Sequence, residues 1–321
     1  MHNQKEQRRQ LPKVLVIVGP TAVGKTALSI ELAKKFNGEI ISGDSMQVYR
    51  TLDIGTAKIT PAEMAGIPHY LLDIRDITEG YSVADFQQEA RQAIAMITEK
   101  GKLPIVVGGT GLYIQALLYD FKLGNDGAFT EEQQAQATQL ETACAPLTNE
   151  QLWEKLAAAD PLASAKIHFN NRRKVQRALE VVLITGHSIM EPKETPKPLY
   201  DYFLIGLTTE RTQLYERINQ RVDLMCEVGL LAEAKRVGQF PETQAAQGIG
   251  YKEFRPYFQQ AVTLTEAVEQ VKQNSRRYAK RQLTWFRNRM NPHWLDLVQH
   301  PEEKETIQSE IRRWKEVPND E

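Results

Sequence analysis

The sequence is short of cysteine, of net charge and of long apolar runs, and each shortage removes a class of protein. Only two cysteines occur, Cys144 and Cys226. Their separation matches no metal-ligand spacing, so neither a zinc module nor a disulfide-stapled secreted domain is expected; both read as reduced thiols of an intracellular chain. The formal charge is −1. That gives no global attraction to a polyanion or an anionic membrane, so any such partner must be met by local patches. No run nears the ~20 apolar residues that span a bilayer. The opening MHNQKEQRRQ is polar and leads straight into a strand-like run. No signal peptide is expected, and the cytoplasm is the default.

What is present begins with GPTAVGKT at residues 19–26, which fits the phosphate-loop template G-x-x-x-x-G-K-[ST] of ATP-binding proteins. Its surroundings suit it. KVLVIV before it is the continuous apolar run of a strand buried on both faces. After it Leu28, Leu32 and Phe36 recur at helical spacing, and Asn37-Gly38 supplies a stop. The alternation continues with EIIS (39–42), HYLLDI (69–74), a helix capped by Ser82 with its stripe at Val83, Phe86, Ala90, Ile94 and Ile97, and LPIVV (103–107). Strands alternating with helices predict an α/β fold with a P-loop kinase-like parallel sheet. From about residue 121 the chain turns Glu-, Gln- and Ala-rich, then basic (NNRRKVQR, 170–177), with a helix stopping at Gly186; three prolines follow in EPKETPKP (191–198). YFLIGLTT (202–209) reads as core strand again, and HWLDLV (293–298) as a last one. The predicted organisation is a P-loop core of 1–120 and 200–321, the latter with C-terminal helices, interrupted by a helical insertion domain at 121–199.

A phosphate loop acts through inward backbone N–H groups and the positive end of its helix. Gly19 and Gly24 allow the tight path, Lys25 supplies a point charge, and the Thr26 hydroxyl suits Mg²⁺ beside phosphate oxygens. ATP hydrolysis ordinarily adds an aspartate after a second apolar strand. Here that strand ends in Gly108-Gly109-Thr110, and Asp73 lies mid-strand. The suggestive carboxylate is Asp44, past the second strand, where ligands of open α/β sheets bind. The loops at 19–26, 43–47 and 108–111 should therefore surround one site. Asp44 also suits an Asx-turn or a helix cap. Its neighbours Ser45, Met46, Gln47 and Tyr49 suit a flat heterocycle, and glutamine can pair with an adenine edge. Arg217 and Arg221 share a helix face bordering an apolar seam and can project inward. A helix over 271–289 is expected to pack through Val271, Ser275, Tyr278, Ala279, Leu283 and Phe286, with Lys272, Arg276, Arg277, Lys280 and Arg281 forming a basic outer face. Local basic patches in a chain without net positive charge favour an anionic macromolecule. On these residues alone, an enzyme whose carboxylate takes a proton from a nucleobase-like nucleophile while the loop holds a phosphate-bearing electrophile, a P-loop kinase of a small substrate and a non-catalytic RNA-binding P-loop protein all stay open.

Eight motifs in one order narrow this: GPTAVGKT, ISGDSMQVYRTLDIGTAK, PHYLLDI, YSVADF, PIVVGGTGLY, RALEVVLITG, GIGYKE and YAKRQLTWFRN. Together they resemble the tRNA dimethylallyltransferases (isopentenyltransferases) over almost the full length. The resemblance implies that the loop holds dimethylallyl diphosphate rather than ATP. The dimethylallyl group would pass to N6 of the adenosine 3′-adjacent to the anticodon, releasing diphosphate. It further implies Asp44, Thr21, Lys25 and Arg221 as catalytic residues, with Asp44 the general base. Gly19, Pro20, Thr21, Ala22, Val23, Gly24, Lys25, Thr26 and Arg221 would hold the diphosphate, and Thr26 would ligate Mg²⁺ as cofactor. The tRNA anticodon stem-loop would meet Asp44, Ser45, Met46, Gln47 and Thr110, then Arg173, Lys174 and Arg177 in the insertion. Gln247, Gly250, Tyr251 and Lys252, with Arg277 and Arg281, would complete that contact. The insertion departs from the family's His-Pro-Asn-Asp at Phe169 and Asn171, and Lys174 keeps charge without the guanidinium fork. A monomer with no membrane partner is expected.

Overall fold

The computed structural model describes residues 11–120, 130–191 and 196–317. The opening decapeptide, and parts of the expected insertion boundary and proline stretch, lie outside them. The chain forms two compact units, Met1–Tyr119 with Pro198–Glu321, and Asp120–Lys197.

The first unit begins with β1 (Lys13–Val18), α1 (Lys25–Phe36), β2 (Gly38–Ser42), the single turn α2 (Pro61–Met64), β3 (His69–Tyr70), α3 (Val83–Glu99), β4 (Leu103–Gly108) and α4 (Gly111–Leu118). The second unit is helical: α5 (Glu131–Cys144), α6 (Asn149–Ala159), α7 (Pro161–Ser164) and α8 (Arg172–Thr185). The first unit resumes with β5 (Asp201–Leu207), α9 (Arg211–Glu227), α10 (Leu230–Val237), α11 (Arg255–Phe258), α12 (Leu264–Arg289), β6 (His293–Leu295) and α13 (Glu303–Glu316).

Among the described residues the sheet has six strands in the order β3-β2-β4-β1-β5-β6. Every pairing is parallel, with Leu15 of β1 opposite Ile105 on one side and Phe203 on the other. The two-residue period of a strand sends β1 into two cores. Val14, Val16 and Val18 pack with Ile41, Val106, Phe86 and Phe286, while Leu15 and Ile17 pack with Leu28, Leu32, Ile105 and Ile205. That double burial is why KVLVIV carries no polar alternation. The Ser82 cap forms a full capping box with Asp85, and α1 ends on Asn37 in the left-handed region.

Three local expectations need correction. HYLLDI supplies a strand only at His69–Tyr70, because Leu71 and Asp73 have φ of 62° and 55° and leave the extended region. Asp73 turns to Lys58, whose Nζ is 2.6 Å away and also donates to the Tyr49 carbonyl at 2.8 Å. HWLDLV ends as strand at Leu295, since the Asp296 carboxylate accepts from Val298 and Gln299 N–H at 3.2 and 3.1 Å and makes a turn. On α12, Lys272 and Arg276 are not on an outer face. Lys272 pairs with Asp223 of α9 at 2.8 Å and Arg276 bonds Asn219. Their places on the seam follow from α9, whose polar side chains were invisible to the period of α12 alone.

In the helical unit Cys144, Leu152, Leu156, Val175, Ala178 and Leu179 form the core, and α8 stops at Gly186 with φ of 74°. Arg172 is spent inside this unit, donating to the carbonyls of Cys144, Ala145 and Leu147 at 2.7, 3.2 and 2.6 Å. A guanidinium there answers the unpaired carbonyls and negative dipole end of α5.

Glu39, second residue of β2, is 2% exposed and bonded by Lys102 at 2.6 Å, Tyr70 hydroxyl at 2.6 Å and Lys100 at 3.1 Å. Burial alone would raise its pKa, but the bonds from Lys102, Tyr70 and Lys100 outweigh it and hold the carboxyl at about 2. A depressed carboxyl contributes stability above its unfolded pKa and loses it as pH falls towards the folded value. Glu39→Gln should therefore lower stability by about 2 kcal/mol at neutral pH and flatten the acid loss between about pH 4.5 and 2. Urea unfolding at several pH values checks this; equal slopes in both proteins would refute it.

Candidate active site

The site is built where β1, β2 and β4 end. Gly19 is buried at φ 145°, and a Cβ on it would sit 2.5 Å from the Leu207 carbonyl oxygen, so only glycine takes the chain out of β1 here. Gly24, at φ 92°, precedes α1, which has no side-chain cap and no acidic residue in its first turn. Its first N–H groups are thus left to an anion, as the helix dipole favours. The second loop is drawn in by Gly43 N–H, which donates to the Val107 carbonyl at 2.8 Å. Gly108 touches it so closely that a Cβ would lie 2.3 Å from the Gly43 oxygen. The loops at 19–26, 43–47 and 108–111 do converge.

Three cations close over the phosphate loop. Lys25 Nζ donates to the Pro20 carbonyl at 2.5 Å, Arg217 Nε to the Ala22 carbonyl at 2.7 Å, and Arg221 to Thr21 Oγ1 at 2.9 Å. Arg221 is half-buried, whereas Arg217, one turn earlier on α9, stays exposed while its Nε reaches the loop. Burial, then the positive charge of Arg221, lowers the Lys25 pKa to about 8, with Asp44 opposing. Arg221 is shifted down by burial, opposed by Asp44 and Glu63. A lysine held down in this way regains its proton when an anion arrives. Pyrophosphate binding at about pH 8 to 9 should therefore be accompanied by proton uptake, and its affinity should fall as pH rises through this range. Calorimetry in buffers of different ionisation enthalpy measures the uptake. Lys25→Met should abolish the protein's share; an unchanged uptake would assign it to the ligand.

Asp44 has a split environment. Its Oδ1 accepts from Met46 N–H at 2.8 Å, the Asx-turn geometry, while no hydrogen bond to Oδ2 occurs among the described residues. One oxygen fixes the loop, and the carboxylate as a whole bears electrostatically on Lys25 and Arg221. Ser45 N–H meets Thr110 Oγ1 at 3.4 Å. The Gln47 amide accepts from Ser42 Oγ at 3.0 Å and donates to the Thr56 carbonyl at 3.2 Å. One lone pair and one N–H remain on that amide for a base edge.

Of the expected tRNA contacts, Arg277, Arg281, Gln247 and Lys252 are exposed on the first unit, and Arg173 and Lys174 on α8 of the helical unit; Arg177, half-buried there, pairs with Glu180 at 3.3 Å. Gly250 and Tyr251 are buried, and the Tyr251 hydroxyl donates to Glu233 at 2.8 Å.

Sequence reasoning missed one wall. Gln282 of α12 donates to the Gly109 carbonyl at 2.9 Å, and a Cβ on Gly111 would lie 2.2 Å from the Trp285 ring. Tyr278 brings its hydroxyl within reach of Thr110 and Gln282, and burial, then the charge of Asp44, pushes its pKa up to about 12. Tyr278 read as a core residue, and Gln282 left no signal in α12's period.

The fold and site define an α/β protein with a P-loop-like core, in which one lysine and two arginines bond to the 19–26 loop next to the loop that carries Asp44. The IPP transferase family model matches residues 47–289. The chain belongs to the IPP transferase family. It is 64% identical over 304 residues to a tRNA dimethylallyltransferase of Enterococcus faecalis, covering 95% of this chain and 98% of the relative. A solved tRNA isopentenylpyrophosphate transferase of Staphylococcus epidermidis is 46% identical with a TM-score of 0.69, covering 94% of this chain and 99% of its own. A solved eukaryotic dimethylallyltransferase acting on tRNA is 34% identical with a TM-score of 0.77, covering 94% of this chain and 78% of its own.

Proposed function

We infer that the chain is a tRNA dimethylallyltransferase, moving a dimethylallyl group from dimethylallyl diphosphate to N6 of the adenosine 3′-adjacent to the anticodon. The observation that carries this reading is the pairing of an uncapped, cation-lined loop with Asp44, whose Oδ2 stays open. The amine nitrogen attacks the allylic carbon, the carbon–oxygen bond breaks, and diphosphate leaves with the electron pair. Asp44 takes the proton the amine loses. Loop N–H groups, Lys25, Arg217 and Arg221 receive the charge that develops on the leaving oxygen. An adenine amine is a weak nucleophile, so holding it against the allylic carbon matters as much as the base.

Among the described residues no group of three or more His, Cys, Asp or Glu side chains could hold a metal ion. The donor that fits is the exposed Thr26 hydroxyl on the first turn of α1, a hard oxygen suited to Mg²⁺ that keeps most of its ligands from phosphate and water. When bound, Mg²⁺ neutralises charge on the diphosphate. No helix among the described residues is long and apolar enough to cross a membrane. Action as a monomer in the cytoplasm, where unmodified tRNA is met, completes the proposal.

The test incubates the protein with Mg²⁺, unmodified tRNA and either labelled dimethylallyl diphosphate or γ-labelled ATP. Label should enter tRNA only from the allylic donor. Phosphoryl transfer from ATP without RNA would overturn the reading, as would tRNA binding without turnover.

A further inference from the structure

Helix α10 carries a charge where its period calls for an apolar residue. Leu230, Ala234 and Val237 form the buried stripe, and Glu233 stands within it at 2% exposure. A carboxylate there is costly unless hydrogen bonds replace its water. Four do so. Oε2 accepts from the N–H groups of Asp53 and Ile54, both at 3.0 Å, and Oε1 from Gly55 N–H and the Tyr251 hydroxyl, both at 2.8 Å.

These donors come from two loops distant in sequence, and each loop supports one residue beside Asp44. The first runs on to Thr56, whose carbonyl holds the Gln47 amide at 3.2 Å. The second contains Gly248, packed so closely on Met46 that a Cβ would lie 2.5 Å from its Cε. The loops also touch directly, since a Cβ on Gly55 would lie 2.7 Å from the Tyr251 ring. Met46 and Gln47 therefore rest on backbone that a single carboxylate holds together.

We propose that Glu233 is a positioning residue for the tRNA substrate, fixing the platform that receives the target base without touching RNA itself. This rests on the transferase reading above. It separates two kinds of damage, because the phosphate loop is held by contacts in which Glu233 has no part. The loss of Glu233 should impair tRNA use and spare the allylic donor.

Two variants test this. Glu233→Gln keeps the shape but turns one acceptor oxygen into a donor facing donors; Tyr251→Phe removes one donor and leaves the carboxylate otherwise bound. Steady-state kinetics with tRNA and donor varied separately, plus pyrophosphate affinity by calorimetry, supply the readouts. In Glu233→Gln, kcat/KM for tRNA should fall about tenfold to a hundredfold, as expected when buried donors lose their acceptor. Tyr251→Phe should lose less, and the double variant should be no worse than Glu233→Gln alone, because the two groups act as one unit. Donor KM and pyrophosphate affinity should stay unchanged. Parallel loss of tRNA and donor parameters would overturn the proposal, as would unchanged tRNA kinetics. If Glu233→Gln does not fold, Tyr251→Phe decides alone by the same criteria. A wild-type protein that fails to prenylate tRNA would sink the transferase reading instead.

Discussion

Asp44→Asn slows prenyl transfer by on the order of 10²-fold or more in kcat while leaving tRNA affinity nearly intact. The two halves of this expectation come from the two carboxylate oxygens. Oδ1 accepts from Met46 N–H, and an asparagine carbonyl takes over that bond, so the loop from Ser45 to Gln47 keeps its conformation. Oδ2 has no hydrogen bond among the described residues, and an amide in its place cannot accept the proton that the attacking amine must lose. Single-turnover measurement with saturating donor isolates the chemical step. A variant that turns over at the wild-type rate would remove Asp44 from the chemistry and leave it as a turn residue only.

Arg221→Ala raises KM for the allylic diphosphate and lowers kcat/KM for it by on the order of 10²-fold, with tRNA affinity little changed. The guanidinium donates to Thr21 Oγ1 at 2.9 Å and bears electrostatically on both Lys25 and Asp44. It is thus placed to follow charge as it moves onto the departing oxygen. Arg221→Lys should recover only part of the loss, because an ammonium keeps the charge without the planar fork. Arg217, one turn away on α9, donates to the Ala22 carbonyl of the same loop, which softens the effect of either single change. A variant that binds donor normally but loses tRNA would mean that α9 serves the RNA and not the cradle.

The cradle was legible because its signals are local. KVLVIV, the two glycines and the spacing of Leu28, Leu32 and Phe36 each report backbone conformation within a few residues. The same holds for Ser82, whose capping box closes three residues away at Asp85. The break after Tyr70 was hidden for a related reason: Lys58, which holds Asp73, comes from another turn of the chain. Apolar composition found the start of HYLLDI and nothing of the partner that ends it.

The partners of the wall residues were illegible because their contacts span the chain, although Arg221 itself read as facing inward. Gln282 meets Gly109 across 173 positions, Arg221 meets Thr21 across 200, and Glu233 meets Gly55 across 178. A helix period says which side of α12 or α10 is buried, never what it is buried against. Glu233 did leave one trace, a charge on an apolar stripe, but a trace of that kind names no partner.

The amino-acid sequence by itself determined a phosphate loop after a doubly buried strand, a parallel α/β core and, through eight ordered motifs, the family resemblance. Only the tertiary structure decided that Lys25, Arg217 and Arg221 close on one loop, that Asp44 Oδ2 has no hydrogen bond among the described residues, and that the buried Tyr251 hydroxyl donates to Glu233. The physical reason is the range of the forces. Backbone preference and hydrophobic period act within one element, whereas the charge and hydrogen bonding of a site depend on which elements the packed cores bring together.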